Sequence, residues 1–463
     1  MPEYKSRTVR NFRNQRDTDG TTWFYLTQNS SLDLQEIGRL AAPKKRFLSW
    51  LVIPALMSIS KADIDTNHYK WIVPRSDYKY SEFTEEEYRR RWKLVKDFMA
   101  RKDFNVLLVN GGNIFEPRGW FNMKWLSNYM GTLSTSSYLV IPAEGEPMIS
   151  DSLNCAQRPD RRARSRVELV RGGDPVKLAI ERVKELKLDH GKIGIVEAES
   201  ETFQLSDYNA LTTGLPEVKF EFVTDEFEMF HLQKSPEEIS AVEKAAGITD
   251  LAIQALKEKA KPGMKEHELF AIVSDAYLRA GAEYPSMILL ASQSMENPNT
   301  CMGRLHPIDR TLKKGDIIIT EIGAREERSY EAQTGKPICL GEPNKEFREM
   351  YEACLAAFRN CSKAFRPGCT DDDVKAAARV VLDRGFHWET PILHGMQPPG
   401  IPMTTFKGPR PRMDPLKEGT IVVLETSACR HNLSAGLMLD DTFVITSTGN
   451  RRLNKIPPEI IVI

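Results

Sequence analysis

The chain has 463 residues, 41% hydrophobic and 28% charged, a globular composition long enough for two or three domains. Its 64 basic and 64 acidic residues cancel, so no global charge favours nucleic acid or a membrane surface, and a small-molecule partner is expected instead. Seven cysteines at irregular spacings, with no CxxC pair and no leader, point to a reducing cytoplasm rather than a secreted disulfide framework.

Residues 1–80 read as an irregular N-terminal extension. Its aromatics, among them Trp23, Phe24, Tyr25 and Trp50, are costly to leave in water and call for a docking surface. The apolar run FLSWLVIPALM at 47–57 is about half of the roughly 20 residues that span a bilayer. Polar sequence precedes it, so a packed helix is expected, not a signal peptide or membrane anchor.

Residues 81–233 form a smaller α/β domain. EEEYRRRWKLVKDFMA at 85–100 has helical spacing that aligns Tyr88, Trp92, Val95 and Met99. The strand NVLLVNG follows, and then the extended segments MKWLSN, SSYLVIPAEGEPMIS and KIGIVEA alternate with helical stretches such as DPVKLAIERVKELK. AEGEP reads as a hairpin turn.

Residues 234–463 open a second domain with two long amphipathic helices joined at Lys261, Pro262 and Gly263. Ser235 is the expected N-cap of the first, with Pro236 in its opening turn and Glu237 and Glu238 at its positive end. Next come the strands MILLAS and DIIITEIG, the helices FREMYEACLAAFRNCSKAF and DDDVKAAARVVLDRGF, and the strands TIVVLET and TFVITST, an α+β mixture.

Four acidic or imidazole positions close predicted strands of this domain: Glu321 in GDIIITEIGA, His394 in PILHGMQ, Glu425 in EGTIVVLET and Asp440 in LMLDDTFVIT. A carboxylate ending the apolar strand TIVVL is expensive without a partner, and an imidazole titrates near neutrality, so these are the candidate site residues. Asp441 beside Asp440 leaves that assignment open. Cys301 and Cys429 read as core residues.

KSPEEI, KPGM, DRTLKKGDIIITEIGA, the HG after a short strand, LKEGTIVVLE and DDTFVIT follow one another in an order that resembles the creatinase, prolidase and aminopeptidase P superfamily. The resemblance covers the second half of the chain and implies a pita-bread catalytic domain preceded by a smaller α/β domain. It also implies a homodimer. In the metallopeptidase members, two aspartates, a histidine and two glutamates hold a pair of divalent ions. By motif these fall on Glu321, Gln333, His394, Glu425 and Asp440. Placing Gln333 requires one inserted residue anchored by Tyr330; without it the position is Ala332, and neither is an acid.

The substitution matters because a bridging carboxylate offers two anionic oxygens and Gln333 only a neutral carbonyl. The resemblance therefore allows one divalent ion (Mn, Fe or Zn) on His394, Glu425, Asp440 and Glu321, or a metal-free site. The upstream histidine of the peptidases falls on Arg304, two positions from His306, and an arginine there offers a fork of donors for a substrate carboxylate. Tyr330, Gln333 and His306 are further candidate substrate contacts.

Two non-peptidase branches show related losses. Dimethylsulfoniopropionate lyases resemble this chain in the longer spacing after the first acid and in lacking the upstream histidine. Ectoine hydrolases resemble it around Glu321 and imply a glutamate nucleophile without metal. The expected function is cleavage of a C–N bond in a small amino-acid-like or zwitterionic compound, by a non-peptidase or a specialised dipeptidase, with Glu321, His394 and Glu425 catalytic. A lyase that abstracts a proton, and a catalytically inactive binding protein, are the alternatives.

Overall fold

The computed structural model describes residues 81–463 apart from 112–120, 130–136, 153–155, 157–163, 199–202, 284–286, 397–399 and 407–412, together with strand residues 15–16 and 22–23. The expected helix at 47–57 and the aromatic side chains of the extension lie outside the described residues. The chain divides into one unit at Met1–Tyr69 and a second at Lys70–Ile463.

Within the second unit, helix α1 (Glu85–Lys102) begins where the Thr84 hydroxyl accepts the Glu87 N–H. Three glutamates in its first turn and Arg101 and Lys102 in its last complement the helix dipole. Tyr88, Val95 and Met99 are buried as the spacing predicts, with Phe98 beside them and Trp92 partly buried.

Strands β1 (Val106–Asn110), β2 (Tyr138–Pro142), β3 (Met148–Asp151), β4 (Leu169–Gly172), β5 (Gly191–Val196) and β6 (Val218–Phe222) form one mixed sheet in the order β4-β3-β2-β1-β5-β6. AEGEP joins the antiparallel β2 and β3, with Gly145 at φ 104° in the turn. MKWLSN is not extended. It lies in helix α2 (Phe121–Ser127), every residue of which is buried, and a short stretch buried on all sides shows no periodicity to distinguish helix from strand.

Residues 234–463 begin with α3 (Pro236–Lys259) and α4 (Glu266–Arg279). Ser235 caps α3 through a reciprocal pair: its hydroxyl takes the Glu238 N–H at 3.2 Å while the Glu238 carboxylate takes the Ser235 N–H at 2.7 Å. Ile248, Ile253 and Leu256 of α3 pack with Leu269 and Val273 of α4 against the sheet residues Leu290, Ile318 and Ile322. Burying each such side chain stabilises the fold by about 1.5–3 kcal/mol.

That sheet contains β7 (Ile288–Ser294), β8 (Asp316–Arg325), β9 (Glu331–Gly335), β10 (Ile338–Cys339), β11 (Leu393–His394), β12 (Ile421–Cys429), β13 (Gly436–Ile445), β14 (Asn450–Arg452) and β15 (Ile461–Val462). Its path runs β11-β12-β13-β9-β8-β10-β15, with β7 beside β8 and β14 beside β13. Helix α5 (Lys345–Ala364) and the pair α6 (Asp371–Ala378) and α7 (Val380–Asp383) share a core with Val422, Leu424, Leu437 and Leu439. DDDVKAAARVVLDRGF is thus two helical segments meeting at Arg379, not one. The α+β character of residues 234–463 is as expected.

Candidate active site

Antiparallel register decides which side chains can meet, because paired residues share a face and their chain neighbours take the other. Glu425 pairs with Asp440, Asp440 with Gly335, Gly323 with Gln333, and His394 with Val423. Stepping by two along β8, β9 and β12 places Glu321, Gln333, His394, Glu425 and Asp440 on one face. The opposite face carries Ile318, Ile322, Leu424 and Leu439, which pack under the helices. Glu321, Glu425 and Asp440 stand in the middle of long strands, not at strand ends. Strand prediction stops at a buried acid, but here Gln333 and His394 hold Glu425 and Gln333 reaches Glu321.

Gln333 links the acids. Its Nε2 donates to Glu425 Oε1 at 2.7 Å and reaches Glu321 Oε1 at 3.4 Å. His394 Nε2 lies 2.8 Å from the same Glu425 Oε1, while its Nδ1 donates to the Gly395 carbonyl at 3.0 Å. Glu425 Oε2 and both oxygens of Asp440 are buried without a hydrogen-bond partner among the described residues.

Protonation follows from this crowding. Burial, then the negative charge of Glu425, push the Glu321 carboxyl up to about 8, against the opposing charge of His394. Burial holds Asp440 well above the usual carboxylate range, helped by Glu425 and Glu321 and opposed by Lys336. Burial is also the largest influence on His394 and lowers it, but the charge and hydrogen bond of Glu425 outweigh burial and leave the imidazole raised.

Asp440 and Asp441 face opposite ways. Asp441 accepts Lys336 Nζ at 2.8 Å and Arg452 Nη1 at 2.9 Å on the far side of the sheet. Asp440 is therefore the member that belongs to the cluster. Gly335 makes room for it: a Cβ there would collide with Asp440 Oδ2 and the Thr320 carbonyl oxygen. The glycine in QTGK, inside a strand, is a sequence signal of such close approach that the motif comparison passed over.

Three expected substrate contacts lie elsewhere. Arg304 bridges to Leu290, which pairs with Thr320, so its side chain takes the face opposite Glu321. There Nη2 contacts both carboxylate oxygens of Glu266 on α4, at 2.8 and 2.9 Å. Tyr330 shares the face of Ala332 and donates its hydroxyl to Glu238 at 2.7 Å, beneath Arg91 and Trp125. His306 is exposed in the loop before β8. Spacing alone carried Arg304 and His306 toward the site, and spacing does not reveal a face. Cys301 and Cys429 are buried core residues, as expected.

The residues present do not fit a pair of divalent ions. The amide of Gln333 stands where a bridging carboxylate is needed and turns its N–H donors toward Glu425 and Glu321. With His394 Nε2 and Glu425 Oε1 joined, the fully buried carboxylate oxygens without a hydrogen-bond partner among the described residues belong to Glu425 and Asp440. Among the described residues, no three His, Cys, Asp or Glu side chains converge as a ligand set.

Residues 240–447 match the model of metallopeptidase family M24. A Xaa-Pro dipeptidase of Pyrococcus furiosus is 27% identical over 248 residues, 52% of this chain and 69% of the relative. A Xaa-Pro dipeptidase of Pyrococcus horikoshii is 24% identical over 379 residues, covering 80% of this chain and 98% of that one. The crystal structure of an X-Pro aminopeptidase from Thermotoga maritima superposes with a TM-score of 0.69 at 20% identity, over 80% of this chain and 99% of its own. The likeness is one of fold, and it is the pita-bread fold with its smaller N-terminal domain. No helix among the described residues is long and apolar enough to cross a membrane.

Proposed function

Because the chain belongs through residues 240–447 to metallopeptidase family M24, and so to the creatinase, prolidase and aminopeptidase P superfamily, we propose that it hydrolyses a C–N bond in a small amino-acid-like compound by acid–base chemistry of Glu321, His394 and Glu425. The observation that carries this is geometric: Gln333 and His394 hold one oxygen of buried Glu425 while its other oxygen has no partner among the described residues, beside the Glu321 carboxyl, which burial pushes up to about 8. A buried carboxyl group whose pKa is raised, next to a second one held by directed hydrogen bonds, is an arrangement that an acid and a base in one site use.

Glu321 is the acid, and it gives its proton to the leaving nitrogen. A neutral carboxylic acid is a poor nucleophile, so direct attack by Glu321 is disfavoured near neutrality. Glu425 is the base: Oε2 accepts a proton from the attacking water while Oε1 is held by Gln333 and His394. His394, whose pKa the charge and hydrogen bond of Glu425 raise, steadies that carboxylate as charge moves. The products are an acid and an amine.

A specialised dipeptidase agrees with the names of the relatives; a non-peptidase substrate agrees with the amide at 333. The reading also takes the chain as a homodimer in a reducing cytoplasm that acts without metal. Incubation with dipeptides and small amides in labelled water tests it: incorporation of solvent oxygen is expected, with Glu321→Gln and His394→Ala each lowering kcat at least about 100-fold. An alkene product would reassign the site to elimination. A stoichiometric Mn, Fe or Zn lost together with activity on chelation would overturn the metal-free chemistry, and turnover unchanged in both variants would leave a binding protein.

A further inference from the structure

Two thiols meet at the far end of the sheet face that bears the cluster. Glu425, Ser427 and Cys429 alternate onto that face of β12, and Gly436, which pairs with Cys429, shares the Asp440 face of β13. A Cβ placed on Gly436 would lie 2.7 Å from Cys301 Cβ and 2.7 Å from Cys429 Sγ. The missing side chain is the space in which the two cysteines approach, and a hydrogen bond joins their thiols. Cys354 of α5 is also near, but it packs on the helix side of the sheet and directs its Sγ to the Leu437 carbonyl at 3.8 Å.

Both cysteines are carried on fixed backbone. Gln293 at the end of β7 clamps the segment before Cys301: its Oε1 accepts the Asn299 and Thr300 N–H groups at 2.8 and 3.0 Å, and its Nε2 donates to the Thr300 carbonyl at 2.7 Å. Thr300 also bridges Ala435, next to Gly436. Cys429 exchanges two backbone hydrogen bonds with His387, at 2.8 and 2.9 Å, in the segment that leads to His394. The thiol contact therefore joins β7, which pairs with the strand of Glu321, to the elements that carry Glu425, Asp440 and His394.

We propose that Cys301 and Cys429 close a reversible disulfide when the protein meets a peroxide, and that this bond switches off the neighbouring cluster. The switch rests on the hydrolase reading above; the bond itself does not. Cys301 is 7% exposed and Cys429 fully buried, so peroxide reaches Cys301 first. Its sulfur gives up its proton and attacks one peroxide oxygen, and the O–O bond breaks to leave a sulfenic acid and water. The Cys429 sulfur then displaces the sulfenic hydroxyl, which departs as water with the Cys429 proton. Two thiols lose two electrons, one peroxide becomes two waters, and a dithiol reverses the bond by exchange. The hydrogen bond with Cys301, and then burial, hold the Cys429 thiol well above its ordinary range, so closure is slow. Closure brings the sulfurs to about 2.05 Å and draws the end of β12 toward residue 301, and a small displacement of a catalytic carboxylate costs rate.

The test treats the full chain with hydrogen peroxide, maps linked peptides by mass spectrometry, and follows the thermal midpoint and kcat before and after dithiothreitol. Peptides linked through 301 and 429 are expected, with the midpoint raised by about 3 °C or more and kcat lowered about 10-fold or more, both reversed by the dithiol. Cys301→Ser and Cys429→Ala should each keep the rate of the reduced chain and lose the peroxide response; loss of the response in either folded variant is enough. Absence of the linked peptides, an unchanged kcat in the linked chain, or a response that persists in the variants overturns the switch and leaves the hydrolase reading standing. Linked peptides and a raised midpoint in a chain that turns over no dipeptide or amide keep the bond and sink the hydrolase reading, and the switch with it.

Discussion

Gln333 Nε2 and His394 Nε2 converge on a single oxygen, Glu425 Oε1, at 2.7 and 2.8 Å. The other oxygen of that carboxylate meets no donor among the described residues. One side chain is therefore clamped on one lone-pair set and open on the other, which is what a positioned base requires. The clamp depends on residue 333 being an amide, since a carboxylate there would repel Glu425 unless a cation or a proton came between them.

The first prediction concerns pH. Glu321 is raised from an ordinary value of 4.5 to about 8, so the rate should fall as pH rises through about 8 as the acid is lost. Stability should move the same way. A folded-state value above the unfolded one contributes stability that is complete below about 4.5 and is lost as pH rises through about 8, and the raised His394 adds to this trend. Thermal unfolding between about pH 5 and about pH 9 should show a falling midpoint, shallower in Glu321→Gln. A midpoint that rises across this range would contradict the protonated acid.

Gln333→Glu restores an acid at the bridging position. Without a cation it adds a fourth carboxyl to three buried ones and should destabilise the chain by about 1–3 kcal/mol. It should also make the thermal midpoint respond to added Mn2+ more strongly than wild type does. Thermal scans with and without the ion check this. Equal responses would mean that residue 333 does not control the cation affinity of the site.

Gly335→Ala should cost about 1–3 kcal/mol and abolish turnover, because the new methyl group and the Asp440 carboxylate claim the same space. Denaturant unfolding gives the first quantity and an activity assay the second. Normal stability with normal activity would show that Asp440 has somewhere else to go.

Arg304→Ala should act on folding and leave KM nearly unchanged. It removes the ion-pair partner of buried Glu266, which keeps its bonds from Ser292 and the Ile308 N–H. The loss is about 1–3 kcal/mol, below that of a fully buried pair because Arg304 retains contact with solvent. A large rise in KM at unchanged stability would return Arg304 to the substrate.

Much of this site was legible as residue types in motif order, and His394, Glu425 and Glu321 meet as expected. The face on which each residue lies was not, because it depends on register between strands far apart in sequence. The choice between Gln333 and Ala332, and between Asp440 and Asp441, turns on a single step of alternation. Arg304 and Tyr330 fail by the same step: each is near the site along the chain and on the wrong side of the sheet. MKWLSN failed for a local reason, being too short and too buried to show a period.

The back-to-back placement of Asp440 and Asp441 has an evolutionary consequence. Lys336 and Arg452 neutralise Asp441 on the side that faces the helices, so the fold draws its charge balance from there and not from the cluster. Members of the cluster can then be exchanged one at a time with the scaffold left standing. On the resemblance to the metallopeptidase members, the amide at position 333 is such an exchange, and a lineage built this way can change its chemistry without having to refold.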